Sequence, residues 1–155
     1  KRLKSFIEIG AFPEYLLQHA IELGPVDLCA EAVVKILEYN SKCNVLHLYN
    51  SNLLEIKLLI TTLNELGIKL QGINDEMMAK TITEILENDD RKEILSGIIN
   101  DIDSNKKLVY TSNVRIDSEF SKKYLEKIGF SWKNIDKEYI LKYMDYFKRI
   151  KFINY

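Results

Sequence analysis

The sequence is poor in the residues that punctuate a chain. It has only 2 Pro and 6 Gly in 155 residues, too few for a sandwich or barrel full of tight turns. Two cysteines, Cys29 and Cys43, cannot staple a secreted disulfide scaffold, and no Asn-x-Ser/Thr acceptor occurs, so a reduced, cytoplasmic protein is expected. Neither sign of charge dominates. Lys plus Arg (22) nearly cancels Asp plus Glu (23), and the net charge of −1 leaves no basic footprint for nucleic acid or an anionic membrane. No apolar run approaches the roughly 18 residues of a membrane span, and no signal-peptide pattern opens the chain.

What is there is globular. Hydrophobic residues make up 46% and charged residues 29%. A chain this long buries roughly 70% of the surface its unfolded form exposes, so neither metal nor disulfide is needed to hold a core. Residues 1–155 read as one domain without linker, repeat or low-complexity tract. A dinucleotide-binding domain and a substrate domain together need about two domain lengths. Lys1 in place of Met fits the expectation of a segment taken from a longer polypeptide.

Helical periodicity organises most of the chain. Asp27 is placed to cap a helix with Ala30, Val33, Val34 and Leu37 at helical spacing. Asn52 with Glu55 forms a capping-box variant ahead of Ile56, Leu59, Ile60 and Leu63, and Gly67 suits the C′ position. Asn74 is the expected cap for Met78, Ile82, Ile85 and Leu86. Asp90 with Glu93 repeats the capping box before Ile94, Leu95, Ile98, Ile99 and Ile102. Asp117 or Ser118 starts a helix through Tyr124, Leu125 and Ile128 that Gly129 stops. Asp136 opens the last, with Ile140, Tyr143, Met144 and Phe147 on its buried face.

Strand signals are fewer. Val45–Tyr49 is short and apolar on both faces, Ile68–Ile73 alternates like an edge strand, and the helix between them makes a parallel βαβ crossover. Lys107–Tyr110 is a weaker third candidate. The expected class is therefore α/β and helix-rich: a small parallel βαβ element with six or so helices.

The motifs of chemistry are mostly absent. Glycines at 10, 24, 67, 72, 97 and 129 spell no phosphate loop, and there is no Gly-x-Ser-x-Gly elbow. His19, Cys29, Cys43 and His47 lack zinc-ligand spacing, so no metal is expected, and His47 reads as a structural histidine in a strand. Asp27, Asp90, Glu93, Asp117 and Asp136 sit at helix starts, where capping explains them; Asp101 and Asp103 merely flank Ile102. The aromatic and basic tail (Tyr139, Tyr143, Tyr146, Phe147 and Ile150, with Lys148 and Arg149) traces one helical face, read as docking on the core rather than stacking nucleic-acid bases. None of the nine tyrosines has Lys four residues on, the pair that a short-chain dehydrogenase uses to pass a proton.

One ordered series of segments has a family look. Gly24-Pro-Val-Asp-Leu-Cys-Ala-Glu-Ala-Val-Val-Lys-Ile-Leu37 resembles the Pro-Val-Asp helix segment of extended short-chain dehydrogenase/reductases. Ile9-Gly-Ala-Phe-Pro13 precedes it, and Val45-Leu-His-Leu-Tyr-Asn50 and a helix ending in Leu66-Gly67 follow. Ile128-Gly-Phe-Ser-Trp132 and Ile135-Asp-Lys-Glu-Tyr139 are similar to the end of such enzymes. Taken in this order they resemble the C-terminal, substrate-side part of the thioester reductase domains of nonribosomal peptide and polyketide synthetases, relatives of carboxylic acid reductases.

The resemblance implies that the cofactor loop and the Tyr–Lys pair belong to an N-terminal Rossmann part of the same polypeptide. The complete enzyme would use NADPH, which this segment does not itself bind, to release a carrier-protein-bound acyl or peptidyl thioester as aldehyde or alcohol. Partners would be that Rossmann part and a phosphopantetheinylated carrier protein, with neither nucleic acid nor membrane. No catalytic residue carries over. Phe12, Tyr15 and His19, in the loop from Phe12 to Leu23, are the residues expected to line the substrate channel. Two other readings stand beside it: a free-standing helical protein-interaction module, and the C-terminal part of a sugar-nucleotide epimerase or dehydratase.

Overall fold

A computed structural model describes residues 1–39, 45–109 and 116–153. In chain order its elements are α1 (Arg2–Ile9), β1 (Ala11–Pro13), a 3-10 turn (Glu14–Gln18), β2 (Ala20–Ile21), α2 (Val26–Glu38), β3 (Leu54–Glu55), α3 (Ile56–Glu65), β4 (Gln71–Ile73) and α4 (Asp75–Leu86). Two 3-10 segments (Asp89–Gly97 and Ile99–Asp101), α5 (Glu119–Lys127) and α6 (Lys137–Arg149) complete the list. The helix-rich α/β class holds. The chain divides into two compact units, one of Lys1–His19, Glu55–Ser112 and Lys137–Tyr155, the other of Ala20–Leu54 and Asn113–Asp136.

The first unit is built on a parallel pair, β1 with β4, registered Ala11 to Gln71, Phe12 to Gly72 and Pro13 to Ile73. β1 begins where Gly10, at φ 78°, caps α1 with its N–H on the carbonyl of Phe6. The expected partner of β4, Val45–Tyr49, is not a strand in the structure; β1 takes its place. The reason lies in burial. Phe12 and Pro13 are sealed from solvent, whereas Val45 and His47 are exposed and the His47 N–H is taken by Ser121 Oγ at 2.9 Å. Of the third candidate, Leu108 forms one antiparallel bridge with Ile102, and Tyr110 lies outside the described residues.

Local signals place the helix ends well in several cases. Asn74 Oδ1 accepts from the Met77 N–H at 2.9 Å, and Met78, Ile82 and Ile85 of α4 are buried. Gly67 and Gly129 both adopt positive φ, 84° and 80°, just past helix ends. Asp117 Oδ1 accepts from Glu119 N–H at 3.0 Å, opening α5. Other caps move. α2 starts from Pro25, with Asp27 inside its first turn, where a carboxylate still opposes the helix dipole. α3 starts from Glu55; Asn52 instead donates its side-chain amide to the Trp132 carbonyl at 2.7 Å.

The stretch expected as a single helix after Asp90 is 3-10, with Asn88 as its cap and a break at Ile98. Gly97 carries the cause. Its N–H is donated to Ser5 Oγ at 3.1 Å, and a Cβ there would sit 2.5 Å from the Lys1 carbonyl carbon. α1 is thus pressed onto Gly97, and Arg2 clamps it with a forked pair to Asp101, 2.8 and 2.7 Å. Asp101 is therefore an ion-pair partner. Asp103 Oδ1 accepts the N–H groups of Asn105 and Lys107, which makes it a turn residue.

α6 departs from the expectation as well. Ile140 and Met144 are buried, but Tyr143 and Tyr146 stay 39% and 46% exposed. One residue is about 100° of helix rotation, so the aromatic line flanks the buried line rather than forming it. Its rings stack on each other instead, with centroids 5.1 Å apart for Tyr139–Tyr143, 5.7 Å for Tyr143–Phe147 and 5.3 Å for Phe147–Phe152. Lys137 at the start of α6 pairs with Glu65 at the end of α3.

Gly97→Ala is expected to destabilise the chain by about 1–3 kcal/mol, since the neighbour that must yield is backbone. Ser5→Ala costs a similar ~1–3 kcal/mol by orphaning the Gly97 N–H. Thermal melts check both; a Gly97→Ala variant as stable as the parent contradicts the packing.

Candidate functional site

Phe12, Tyr15 and His19 fall on one short stretch in the first unit, and the structure separates their roles. Phe12 sits in β1, 2% exposed, with its ring against Gly72 of β4, where it packs. Tyr15, in the following 3-10 turn, is half-buried and donates its hydroxyl to the Leu108 carbonyl at 3.4 Å. His19 follows that turn and is exposed.

Tyr15 and His19 are brought together because they lie four residues apart across a tight turn. Their rings meet edge to face, 5.7 Å between centroids and 80° between planes. His19 Nδ1 lies 3.0 Å from the Tyr15 carbonyl. A carbonyl only accepts, so Nδ1 donates there, and Nε2 is the ring nitrogen left to meet a ligand. Its backbone is held on both sides: the N–H donates to the Leu16 carbonyl at 2.9 Å, and the carbonyl accepts from Ile56 N–H at 3.0 Å. The arrangement is an oriented, solvent-accessible imidazole beside a phenol ring, suited to hydrogen bonding a ligand.

The second unit carries a different surface. Its core is a cluster of Leu28, Ala32, Leu125, Phe130 and Trp132, with Cys29, Ile36, Leu48 and Ile128 packed around it. α2 therefore buries its Leu28–Ala32 line and turns the expected line outward. Val26 is 80% and Leu37 73% exposed, and Val33 and Val34 are exposed between them. The sequence placed Val33, Val34 and Leu37 on a helix correctly but could not say which of two apolar lines meets the core. The second line, Leu28, Ala32 and Ile36, was legible as an i, i+4, i+8 series.

Among the described residues no group of three or more His, Cys, Asp or Glu is placed to hold a metal ion. Cys43 lies outside the described residues. His47, exposed and in an irregular segment, is not the strand histidine expected of it. Cys29 sits against the cluster; burial pushes its thiol pKa up, and the carboxylates of Glu22 and Asp27 push in the same direction. Among the described residues no helix is long and apolar enough to cross a membrane.

No family model and no curated protein matches the chain. Solved structures do. A thiolation-reductase di-domain from an archaeal non-ribosomal peptide synthetase matches 99% of this chain with a TM-score of 0.81 at 18% identity. The terminal R domain from the myxalamid PKS-NRPS biosynthetic pathway matches 99% with a TM-score of 0.73, also at 18% identity. The chain spans 31% of the first structure's chain and 38% of the second's. The resemblance to terminal reductase domains drawn from the sequence thus holds at the level of fold.

A raised thiol pKa leaves less thiolate at neutral pH, so Cys29 is expected to alkylate more slowly than free cysteine. Asp27→Asn removes one of the opposing charges and speeds the reaction. Peptide-resolved mass spectrometry after timed iodoacetamide treatment checks both; Cys29 labelling as fast as free cysteine contradicts the burial.

Proposed function

We propose that this chain is the substrate-side part of an NADPH-dependent reductase that releases acyl or peptidyl thioesters from a carrier protein. The observation that carries the reading is a fold shared across 99% of the chain with two reductase structures of peptide and polyketide synthetases. The missing phosphate loop and the missing Tyr–Lys pair agree with a chain that leaves cofactor binding and proton transfer to a Rossmann part of the same polypeptide. The outward apolar line of α2 supports such a partner domain, because a contiguous apolar patch of this kind marks an interaction surface.

In the complete enzyme the Rossmann part would hold NADPH, which would supply the hydride for the thioester carbonyl carbon, while the C–S bond breaks and the phosphopantetheine sulfur leaves as the thiol with a proton from solvent. This chain binds and orients. His19, with Nε2 accessible and its backbone held, offers a hydrogen bond to the incoming acyl chain or its arm, and Tyr15 backs the imidazole. Phe12 anchors the strand that leads into the turn carrying Tyr15 and ending at His19. In the cytoplasm the carrier protein would bring the thioester to the turn that carries Tyr15 and His19.

The purified chain is expected to leave NADPH fluorescence unchanged and to reduce no thioester. Supplying a separately expressed Rossmann part restores aldehyde or alcohol formation from an acyl carrier protein, and His19→Ala then raises KM more than it lowers kcat. NADPH binding or turnover by the chain alone contradicts the reading. A chain that complements no Rossmann part but captures an unrelated protein favours a free-standing interaction module.

A further inference from the structure

α5 carries two charge pairs at the same spacing and uses only one. Glu119 and Lys123 form an ion pair at 3.2 Å. Lys122 and Glu126 are also four residues apart but in the reverse order, the weaker one on a helix, and among the described residues neither enters an ion pair. Both instead line a cleft of about 170 Å³ together with Ser51, Asn52, Ser131 and Trp132. All of these residues belong to the second unit.

The walls are held rigidly. Asn50 is fully buried and donates its side-chain amide to the Leu23 carbonyl at 3.0 Å, while its Oδ1 accepts from Asn52 N–H at 3.0 Å. Asn52 Nδ2 is in turn fixed on the Trp132 carbonyl, which leaves its Oδ1 as an acceptor without a described partner. Trp132 stands edge to face on Phe130, 5.1 Å between centroids. Between these fixed groups Ser51 Oγ is buried and has no hydrogen-bond partner. A buried hydroxyl without a partner is uncommon and calls for an explanation.

We propose that this cleft binds a small zwitterion of the α-amino acid class. Its carboxylate meets the Lys122 ammonium, and its ammonium group meets the Glu126 carboxylate and Asn52 Oδ1. The orphaned hydroxyl of Ser51, in the wall of the same cleft, is the remaining polar group assigned to this ligand. The volume admits a molecule of a few heavy atoms: it exceeds the ~10–15 Å³ that one water needs and falls short of the ~300 Å³ at which larger ligand pockets begin. An anion alone would leave Glu126 opposed, and a cation alone would leave Lys122 opposed. The cleft lies within one unit, so its occupancy is independent of the reductase reading, and a chain inactive in every reductase assay would still show it.

Trp132 is the single tryptophan, so its emission reports on the cleft directly. Titration of the full chain with glycine and L-alanine is expected to give a saturable change that acetate and methylammonium do not. Lys122→Met and Glu126→Gln each weaken the apparent affinity by about tenfold or more, whereas Lys123→Met leaves it unchanged. Ser51→Ala keeps or raises the melting temperature while weakening binding, which separates the hydroxyl's role from folding. No saturable response to either amino acid, a response to acetate of equal affinity, or full binding by Lys122→Met overturns the proposal.

Discussion

A helix can turn only one line of side chains to a core, and α2 has two apolar lines to choose from. The cluster of Leu28, Ala32, Leu125, Phe130 and Trp132 takes the line that includes Ala32, a residue with no exposed surface. That choice leaves Val26, Val33, Val34 and Leu37 facing outward. It also fixes the rest of the unit. Cys29 is drawn against the cluster, Trp132 is set where its carbonyl can hold Asn52, and Asn52 with Asn50 then pins the segment that walls the cleft. The same packing therefore yields a rigid polar cleft and an unsatisfied apolar face.

The first unit obeys a comparable rule on a different scale. α1 approaches the 3-10 stretch so closely that only glycine fits at position 97. The strand that leaves Gly10 can then run beside β4, and the turn after it presents Tyr15 and His19 with their backbone fixed. The accessible imidazole is a product of that chain of constraints.

How much of this was legible follows from the range of the interactions. Asn74, Asp117, Gly67 and Gly129 act within a turn of their own position, and the structure places each where its local chemistry required. The pairing of β1 with β4 spans some sixty residues of sequence, and no pattern in Ala11–Pro13 distinguishes it from a loop. Val45–Tyr49 had the composition of a covered strand, but the structure runs it as an irregular segment, and composition alone does not supply a strand pairing. The 3-10 form of Asp89–Gly97 depends on Lys1 and Ser5, which no local reading connects to Gly97. For the site, the nearness of Tyr15 and His19 was readable from their spacing; that Phe12 turns inward was not. The cleft was invisible because Ser51, Lys122 and Ser131 come together only through the fold.

On the function proposed, the outward line of α2 is the surface that meets a cofactor-binding domain. That role is tested most directly by calorimetric binding of the chain to a separately expressed Rossmann part, comparing the parent with a Val33→Glu, Leu37→Glu double variant. Neither residue contributes to the buried cluster, so the variant should melt like the parent. Each lost apolar contact is worth roughly 1.5–3 kcal/mol if fully buried, so affinity should fall at least about tenfold. Unchanged affinity in a folded double variant would contradict the account.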